Sequence, residues 1–284
     1  MKKYIYIAVI LSLVSASSAH VNQGSRILSV QDLLDSTVKN KSGESLGTLK
    51  EFVGDKSKGD IKYAILLYND EYLPVPWFAF EITNKNSNEK INGQESQKQN
   101  RLVLNISKAQ ISKAPVLGFL DIQQKVDNFY SRYSPPKERA GKRRPISIMN
   151  MFKVSDILQM NVDNKQDDRI GELRDLVIDS TRGNILYGLV RFGNIADAKE
   201  KIAAVPWSSI DISRKTAKLD AHQDKLEAAV LEDGDIKKLS QRQFANKIFE
   251  VFGTEPYWSV YGYEPPERET HQRPADDDTN KKAS

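Results

Sequence analysis

The side chains that could carry out chemistry are few and scattered. The chain has no cysteine, so it offers no thiol nucleophile, no lipid-bearing cysteine and no cysteine-ligated zinc. Its three histidines, His20, His222 and His271, lie in no recognisable motif. A Ser-His-Asp triad or a histidine-rich metal site needs several such groups in one constellation. The sequence therefore predicts no catalytic residue, no metal ligand and no cofactor.

Two acidic groups could still bind a metal or move protons. Asp163, Asp167 and Asp168 suggest calcium, but Lys165 occupies a ligand position of an EF-hand loop and no Glu follows at the required spacing. A solvated turn is the favoured interpretation. A second group pairs Asp175 with Asp179, and its counterpart earlier in the chain is Glu51 with Asp55.

Acid–base catalysis by these pairs is not favoured. Asp55 and Asp179 each begin a turn of the form Asp-x-x-x-Gly, and an Asp at that position bonds its own backbone. A carboxylate that already has this structural role is a poor candidate for a general acid or base. We therefore predict that the protein is not an enzyme.

An internal duplication organises the chain. Residues 30–63 match residues 154–187 at a constant offset of 124, with thirteen identities in 34 positions. Unrelated segments of average composition would share about two. After a six-residue shift the match continues, so that Pro76-Trp77 corresponds to Pro206-Trp207. The chain therefore contains two copies of one module.

Each copy is predicted to be a small, mainly β barrel. Alternating apolar residues at 61–67 and 185–191 predict a strand, and the turn before each predicts a hairpin. The apolar residues of the segments 46–52 and 170–176 recur every three positions, as in a helix. Each segment, however, contains a glycine and must pair with the next strand across the hairpin. We therefore predict strands that bend at these glycines. A short helix closes each copy, at 107–114 and 223–230.

The two tryptophans are predicted to fill the barrel cores, with ligand stacking as the minor alternative. The other predicted core residues are the prolines before them, the strand glycines and one tyrosine per copy. The full set is Gly47, Tyr63, Pro76, Trp77, Gly171, Tyr187, Pro206 and Trp207.

This ordered set resembles the PRC-barrel family. The family pattern Gly-x-x-Leu-Gly is present at 43–47 and in degenerate form at 167–171, and Val-Pro-Trp is present at 75–77 and 205–207. The resemblance covers most of residues 28–120 and 152–232. It implies two tandem barrels of five or six strands and a docking module in place of a catalyst. Fold is a better inference than function from such a resemblance.

Aromatic tailpieces, predicted to be short helices, follow both copies. Because large apolar surfaces rarely stay in water, they should pack on a barrel or bind a partner. The predicted partner surface is Phe129, Tyr130, Tyr257, Trp258 and Tyr261. The predicted divisions are a signal peptide at 1–19, a first repeat at 28–120, a tailpiece and basic linker at 121–151, a second repeat at 152–232, a tailpiece at 233–264 and a disordered tail at 265–284.

Residues 1–19 have the order of a secretory signal peptide, with a positive start, an apolar run and small residues up to Ala19. The run is shorter than the ~20 residues that span a bilayer. We expect cleavage, no transmembrane span afterwards, and a periplasmic or secreted bacterial protein. An uncleaved N-terminal membrane anchor is the alternative.

Charge excludes one class of partner. The chain has 42 Lys and Arg against 38 Asp and Glu, a near balance that gives no case for a nucleic-acid groove. The basic cluster at 142–144 could touch anionic lipid or polymer, although a solvated linker is favoured. The sequence predicts a non-catalytic binding or scaffold protein that docks an envelope protein. The alternatives are a periplasmic hydrolase with an unrecognised site and a protein that binds anionic lipid or polymer at the envelope.

Overall fold

A computed structural model describes residues 27–84, 90–91, 94–95, 100–116, 122–133, 150–193, 200–213 and 215–262. The predicted signal peptide, the basic linker at 137–145, the tail at 265–284, and His20 and His271 lie outside these residues. The described residues form two curled sheets with short helices, which confirms the prediction of a mainly β fold with two small barrels. Among them, no helix has the length and apolar character needed to cross a membrane.

The first half supplies nine strands and two helices. The strands are β1 (Ile27–Ser29), β2 (Thr37–Asn40), β3 (Ser45–Asp55), β4 (Asp60–Tyr68), β5 (Glu71–Pro76), β6 (Phe80–Asn84), β7 (Lys90–Ile91), β8 (Gln94–Glu95) and β9 (Asn100–Leu104). The helices are α1 (Lys108–Ile111) and α2 (Ile122–Tyr130). The main sheet runs β5-β4-β3-β2-β9-β6, and β7 pairs with β8 apart from it.

The second half repeats this order. Its strands are β10 (Met151–Lys153), β11 (Asn161–Asp163), β12 (Arg169–Asp179), β13 (Ile185–Phe192), β14 (Lys201–Pro206), β15 (Ile210–Ile212) and β16 (Ala217–Leu219). Its helices are α3 (Val154–Ile157), α4 (Gln223–Ala228), α5 (Arg242–Phe252) and α6 (Tyr257–Tyr261). The sheet runs β14-β13-β12-β11-β16-β15, which is the order of the first sheet with equivalent strands.

The segments with ambiguous periodicity are strands, and their glycines lie where the pairing shifts. The register between β2 and β3 changes opposite Gly47, and that between β11 and β12 changes opposite Gly171. A Cβ at Gly47 would collide with the carbonyl oxygen of Leu67, and one at Gly171 would lie 2.8 Å from that of Arg191. Glycine is therefore required because the neighbouring strand approaches closely at the bend.

The two halves exchange one strand each. Strand β1, from the first half, pairs antiparallel with β12 of the second, and β10, from the second half, pairs with β3 of the first. The buried apolar residues of both halves form one continuous cluster. The size of each repeat and the polar linker predict that a repeat could fold alone, with its tailpiece packed on the barrel or helping to join the two repeats. In the structure each sheet also includes a strand from the other half.

The tailpieces pack on the outside of the sheets. Helix α2 lies along β5, α5 lies along β14, and the 3-10 helix Ile236–Ser240 contacts β1. Strand β13 is buried at seven of its eight residues. On the first sheet the hydroxyl of Tyr63 donates to Asp127 Oδ1 at 3.2 Å. On the second the ring of Tyr187 packs against Phe249, with centroids 5.6 Å apart.

Candidate functional site

The two halves meet at their central hairpin turns. Asp60 of the first half and Asn184 of the second form an antiparallel bridge. Two backbone hydrogen bonds of 2.8 Å flank it: Ile61 N–H to the carbonyl of Gly183, and Ile185 N–H to the carbonyl of Gly59. Asp60 and Asn184 are equivalent positions of the duplication, so both halves present the same turn position to each other. The contact therefore has the reciprocal character of a twofold interface.

The tryptophans complete this junction. Trp77 and Trp207 are 3% and 7% exposed. Each lies over the turn glycine of the opposite half: a Cβ built on Gly183 would lie 2.7 Å from Trp77 Cδ1, and one on Gly59 would lie 2.7 Å from Trp207 Cδ1. Both glycines have positive φ, 76° and 63°. Glycine is thus required at each position for two reasons: the turn needs a positive φ, and the indole ring leaves no room for a Cβ.

We call the place where an exchanged strand joins the sheet of the other half a crossing. At each crossing a carboxylate accepts hydrogen bonds from the incoming segment. Ser29 Oγ donates to Asp175 Oδ2 at 2.5 Å, and the backbone N–H of Gln31 donates to Asp175 Oδ1 at 3.1 Å. In the reverse direction, Ser155 donates to Glu51 through its hydroxyl and through its N–H, the latter at 3.2 Å. Asp175 and Glu51 are equivalent positions. Burial raises the pKa of Asp175 to about 6, against the lowering effect of these bonds.

A partly buried charge lies at the junction. Asp60 forms an ion pair with Lys62, and burial raises the pKa of Asp60 in spite of that partner. Burial and the negative charge of Asp60 together raise the pKa of Tyr261. Arg182 Nη1 donates to the backbone carbonyl of Tyr261 at 3.0 Å. Helix α6 therefore reaches from the second tailpiece to the hairpin of the first half.

The exchanged strand β10 adds one more aromatic group. Phe152 stacks on Trp207 with ring centroids 6.3 Å apart. Its ring fills the space above Gly54, where any Cβ would collide with it. At the equivalent place in the other crossing, Leu28 faces Ile178. At this position the β10 crossing pairs a large side chain with a glycine, whereas the β1 crossing pairs two side chains of medium size.

Comparison with known families identifies the second half. Residues 149–226, from the approach to β10 into α4, match the model of the PRC-barrel domain. Over these residues the second half of the fold is similar to a PRC barrel, and we use that term for it below. This confirms the resemblance read from the sequence, and the first sheet has the same strand order. No curated protein matches the chain.

The PRC-barrel match also shows which exchanged strand belongs to the second copy. The matched segment includes β10, yet β10 pairs with the sheet of the first half. The PRC barrel in turn receives β1 at the corresponding edge of β12. No pattern in the sequence predicts this exchange, because an exchanged strand has the same composition as a strand that pairs within its own half.

The acidic residues singled out from the sequence have structural partners. Asp179 Oδ1 accepts the backbone N–H groups of residues 181 and 182, and Asp55 Oδ1 accepts that of residue 57, as expected of turns. Asp167 pairs with Lys218 at 2.7 Å. His222 precedes α4 without a side-chain cap bond. In the part of the chain that the structure describes, no three acidic or histidine side chains are placed to hold a metal ion.

The predicted partner surface is partly wrong. Tyr130 and Trp258 are 1% and 7% exposed, so neither side chain can form an open surface. Both lie under their tailpieces because a large aromatic ring removes more apolar area from water when it packs on the sheet. Phe129, Tyr257 and Tyr261 are half-buried. The two tailpieces share an internal geometry: the ring pair at 129 and 130 is 5.0 Å apart and the pair at 257 and 258 is 4.9 Å apart, both edge-on.

The outer edge of the PRC barrel is closed by its own chain. After α4, the segment 229–231 runs beside β14 and bridges Ala203 to Val230. The N–H of Ala204 donates to the carbonyl of Ala229 at 3.0 Å, and the N–H of Leu231 donates to that of Ile202 at 2.8 Å. These bonds satisfy the strand edge, and Leu231 is 3% exposed.

Among the described residues of the first half, no equivalent pair of backbone hydrogen bonds is made to β5. Alignment through the shared Val-Pro-Trp and closing strands places Pro74 at the position of Ala204 and Pro115 at that of Val230. Neither proline has an N–H to donate. Tyr72 and Val116, at the positions of Ile202 and Leu231, are 48% and 43% exposed. We call this pair, Tyr72 and Val116, the open edge.

Proposed function

We propose that the protein is a non-catalytic binding or scaffold protein. A PRC barrel is a docking module, and the carboxylates that were considered for acid–base chemistry here hold turns or join the two halves. Glu51 and Asp175 accept hydrogen bonds between the two halves, so we expect the partner site to lie on the outer surfaces.

The observation that carries the proposal is the difference between the two outer edges. One module buries Leu231 at a position where the other exposes Val116. Tyr72 and Val116 are an exposed aromatic and an exposed aliphatic side chain, and aromatic residues are enriched in protein interfaces. The prolines at 74 and 115 restrict main-chain pairing at this edge, so side-chain contacts would provide the recognition. We infer that a protein partner covers the open edge.

The site of action follows from the N-terminal sequence pattern. The order of charge, apolar run and small residues at 1–19 is typical of an exported protein. We propose that the protein works in the cell envelope and that its partner is an envelope protein. Cell fractionation tests this part: the mature protein should be recovered in the periplasmic or secreted fraction without detergent. Recovery only from detergent-solubilised membranes would favour the N-terminal anchor.

The partner site is tested by crosslinking and affinity capture from envelope extracts. A double variant, Tyr72→Ser with Val116→Ser, should lose the partners that the wild type captures, because both side chains are exposed and their loss leaves the core intact. Val260→Ser is the matched control, since Val260 is a 54% exposed aliphatic residue on α6 of the second tailpiece. If both variants capture the same proteins as the wild type, the open edge is not the binding surface.

A further inference from the structure

The exchanged strand β1 contacts the PRC barrel through β12. Among the described residues, which begin at Ile27, residues 27–29 pair with β12, and one more hydrogen bond runs from Val30 N–H to the carbonyl of Leu176 at 3.0 Å. The side-chain link between Ser29 and Asp175 lies at the end of this contact. The carboxylate of Asp175 is 7% exposed, so its charge is almost removed from water when β1 is in place.

Each element packed around Asp175 adds little to neutralise it. On the segment after β1, Asp32 has the same charge and raises the pKa of Asp175 further. On β13, the residue paired with Asp175 is the apolar Leu189. The 3-10 helix that contacts β1 contains Lys237 and Lys238, and Lys238 pairs with Glu232 at 2.7 Å. The carboxylate is held by hydroxyl and backbone donors alone, from Ser29, Gln31 and Leu176.

We propose that this contact is an acid-tightened clasp, which holds β1 on the PRC barrel firmly when Asp175 is protonated and releases it more readily when Asp175 is ionised. The physical reason is desolvation. With β1 in place, ionisation leaves a charge in an almost dry site, whereas an open clasp exposes the same carboxylate to water.

The direction of the pH effect follows from the pKa. Burial raises the pKa of Asp175 from its ordinary value of 3.8 to about 6 in the closed clasp. The stabilising effect is therefore complete below the ordinary value and is lost as pH rises through the closed-state value. Between pH 5 and pH 7.5, linkage makes opening of the clasp about tenfold more favourable.

Opening has a local consequence. It uncovers the edge of β12 at residues 177–179. The clasp is thus a regulatory device at the contact between the two halves. It is separate from the open edge and does not depend on the identity of a partner.

The test is hydrogen exchange of the full chain, read by mass spectrometry at pH 5 and pH 7.5 and corrected for intrinsic exchange. Peptides that cover β1 should lose about tenfold in protection at the higher pH. Strand β10 is the internal control, because Glu51 at its crossing is half-buried and more solvated than Asp175. Equal loosening of β1 and β10 would overturn the proposal.

Two variants separate the clasp from general stability. Asp175→Asn cannot ionise, so protection of β1 should no longer depend on pH relative to β10. An unchanged pH dependence in Asp175→Asn would show that another group is responsible. Should that variant fail to fold, Ser29→Ala provides the second test, because it removes a donor that favours the ionised form of Asp175. The midpoint, which is the pH at half of the pH-dependent loss of β1 protection relative to β10, should then move to higher pH. A midpoint that stays in place or moves lower contradicts the clasp.

Discussion

The indole of Trp77 lies against the α-carbon of Gly183, so the Val-Pro-Trp motif of one half is closed by a turn glycine from the other. Trp207 and Gly59 repeat this relationship in the opposite direction. Together with the exchanged strands, the two contacts make the duplication an internal dimer. The Val-Pro-Trp motif, which the sequence predicts to fill the core of one barrel, therefore also joins the two barrels.

Gly183→Ala is expected to destabilise the protein by about 2–5 kcal/mol. The left-handed turn costs an alanine roughly 1–2 kcal/mol, and collision with the indole adds about 1–3 kcal/mol. Urea unfolding measures the loss. Gly253→Ala is the matched control, because Gly253 also has positive φ, 66°, but an added Cβ would meet no atom within 4 Å. Equal losses in the two variants would show that the tryptophan contact contributes nothing.

Trp77→Ala and Trp207→Ala should each reduce the free energy of unfolding by about 3–5 kcal/mol, the range for a large aromatic removed from a core. Both indoles are buried, and each also supports the opposite half. Thermal unfolding followed by circular dichroism checks this prediction. If either tryptophan were a platform for a ligand, its replacement would leave the melting temperature almost unchanged.

Phe152 and Gly54 offer a test of complementary packing at one crossing. Gly54→Ile alone should destabilise by about 1–3 kcal/mol because the new side chain collides with the Phe152 ring. Adding Phe152→Leu should recover part of that loss, since it copies the pairing of Leu28 with Ile178 in the other crossing. The coupling is read from a double-mutant cycle in urea. Additive effects of the two substitutions would contradict direct packing between them.

Much of each module could be predicted from the sequence, and the junction between modules could not. Local signals specified the elements: the Asp-x-x-x-Gly turns, the prolines that end β5 and β14, and the glycines that permit bends. The sheet into which β1 and β10 insert depends on long-range geometry, because a strand of three residues pairs equally well with either copy of a duplicated partner. Ser29 and Asp60 carry no motif, so their roles in the clasp and the central bridge emerge only from the fold.

The exchange of strands leads to a prediction about fragments. Residues 150–262 alone lack β1 and the Gly59 turn, which leaves Trp207 and the edge of β12 exposed, and we expect this fragment to aggregate or to unfold without cooperativity. Residues 27–133 alone lack β10 and Gly183, with the same outcome. Mixed or co-expressed, the two fragments should form a soluble one-to-one complex, because each supplies the strand and the glycine that the other needs. Size-exclusion chromatography with light scattering measures the complex, and Gly59→Val in the first fragment is the control that should prevent it, since the valine would collide with Trp207. A monomeric second fragment that unfolds as cooperatively as the full chain would show that the exchanged strand is dispensable.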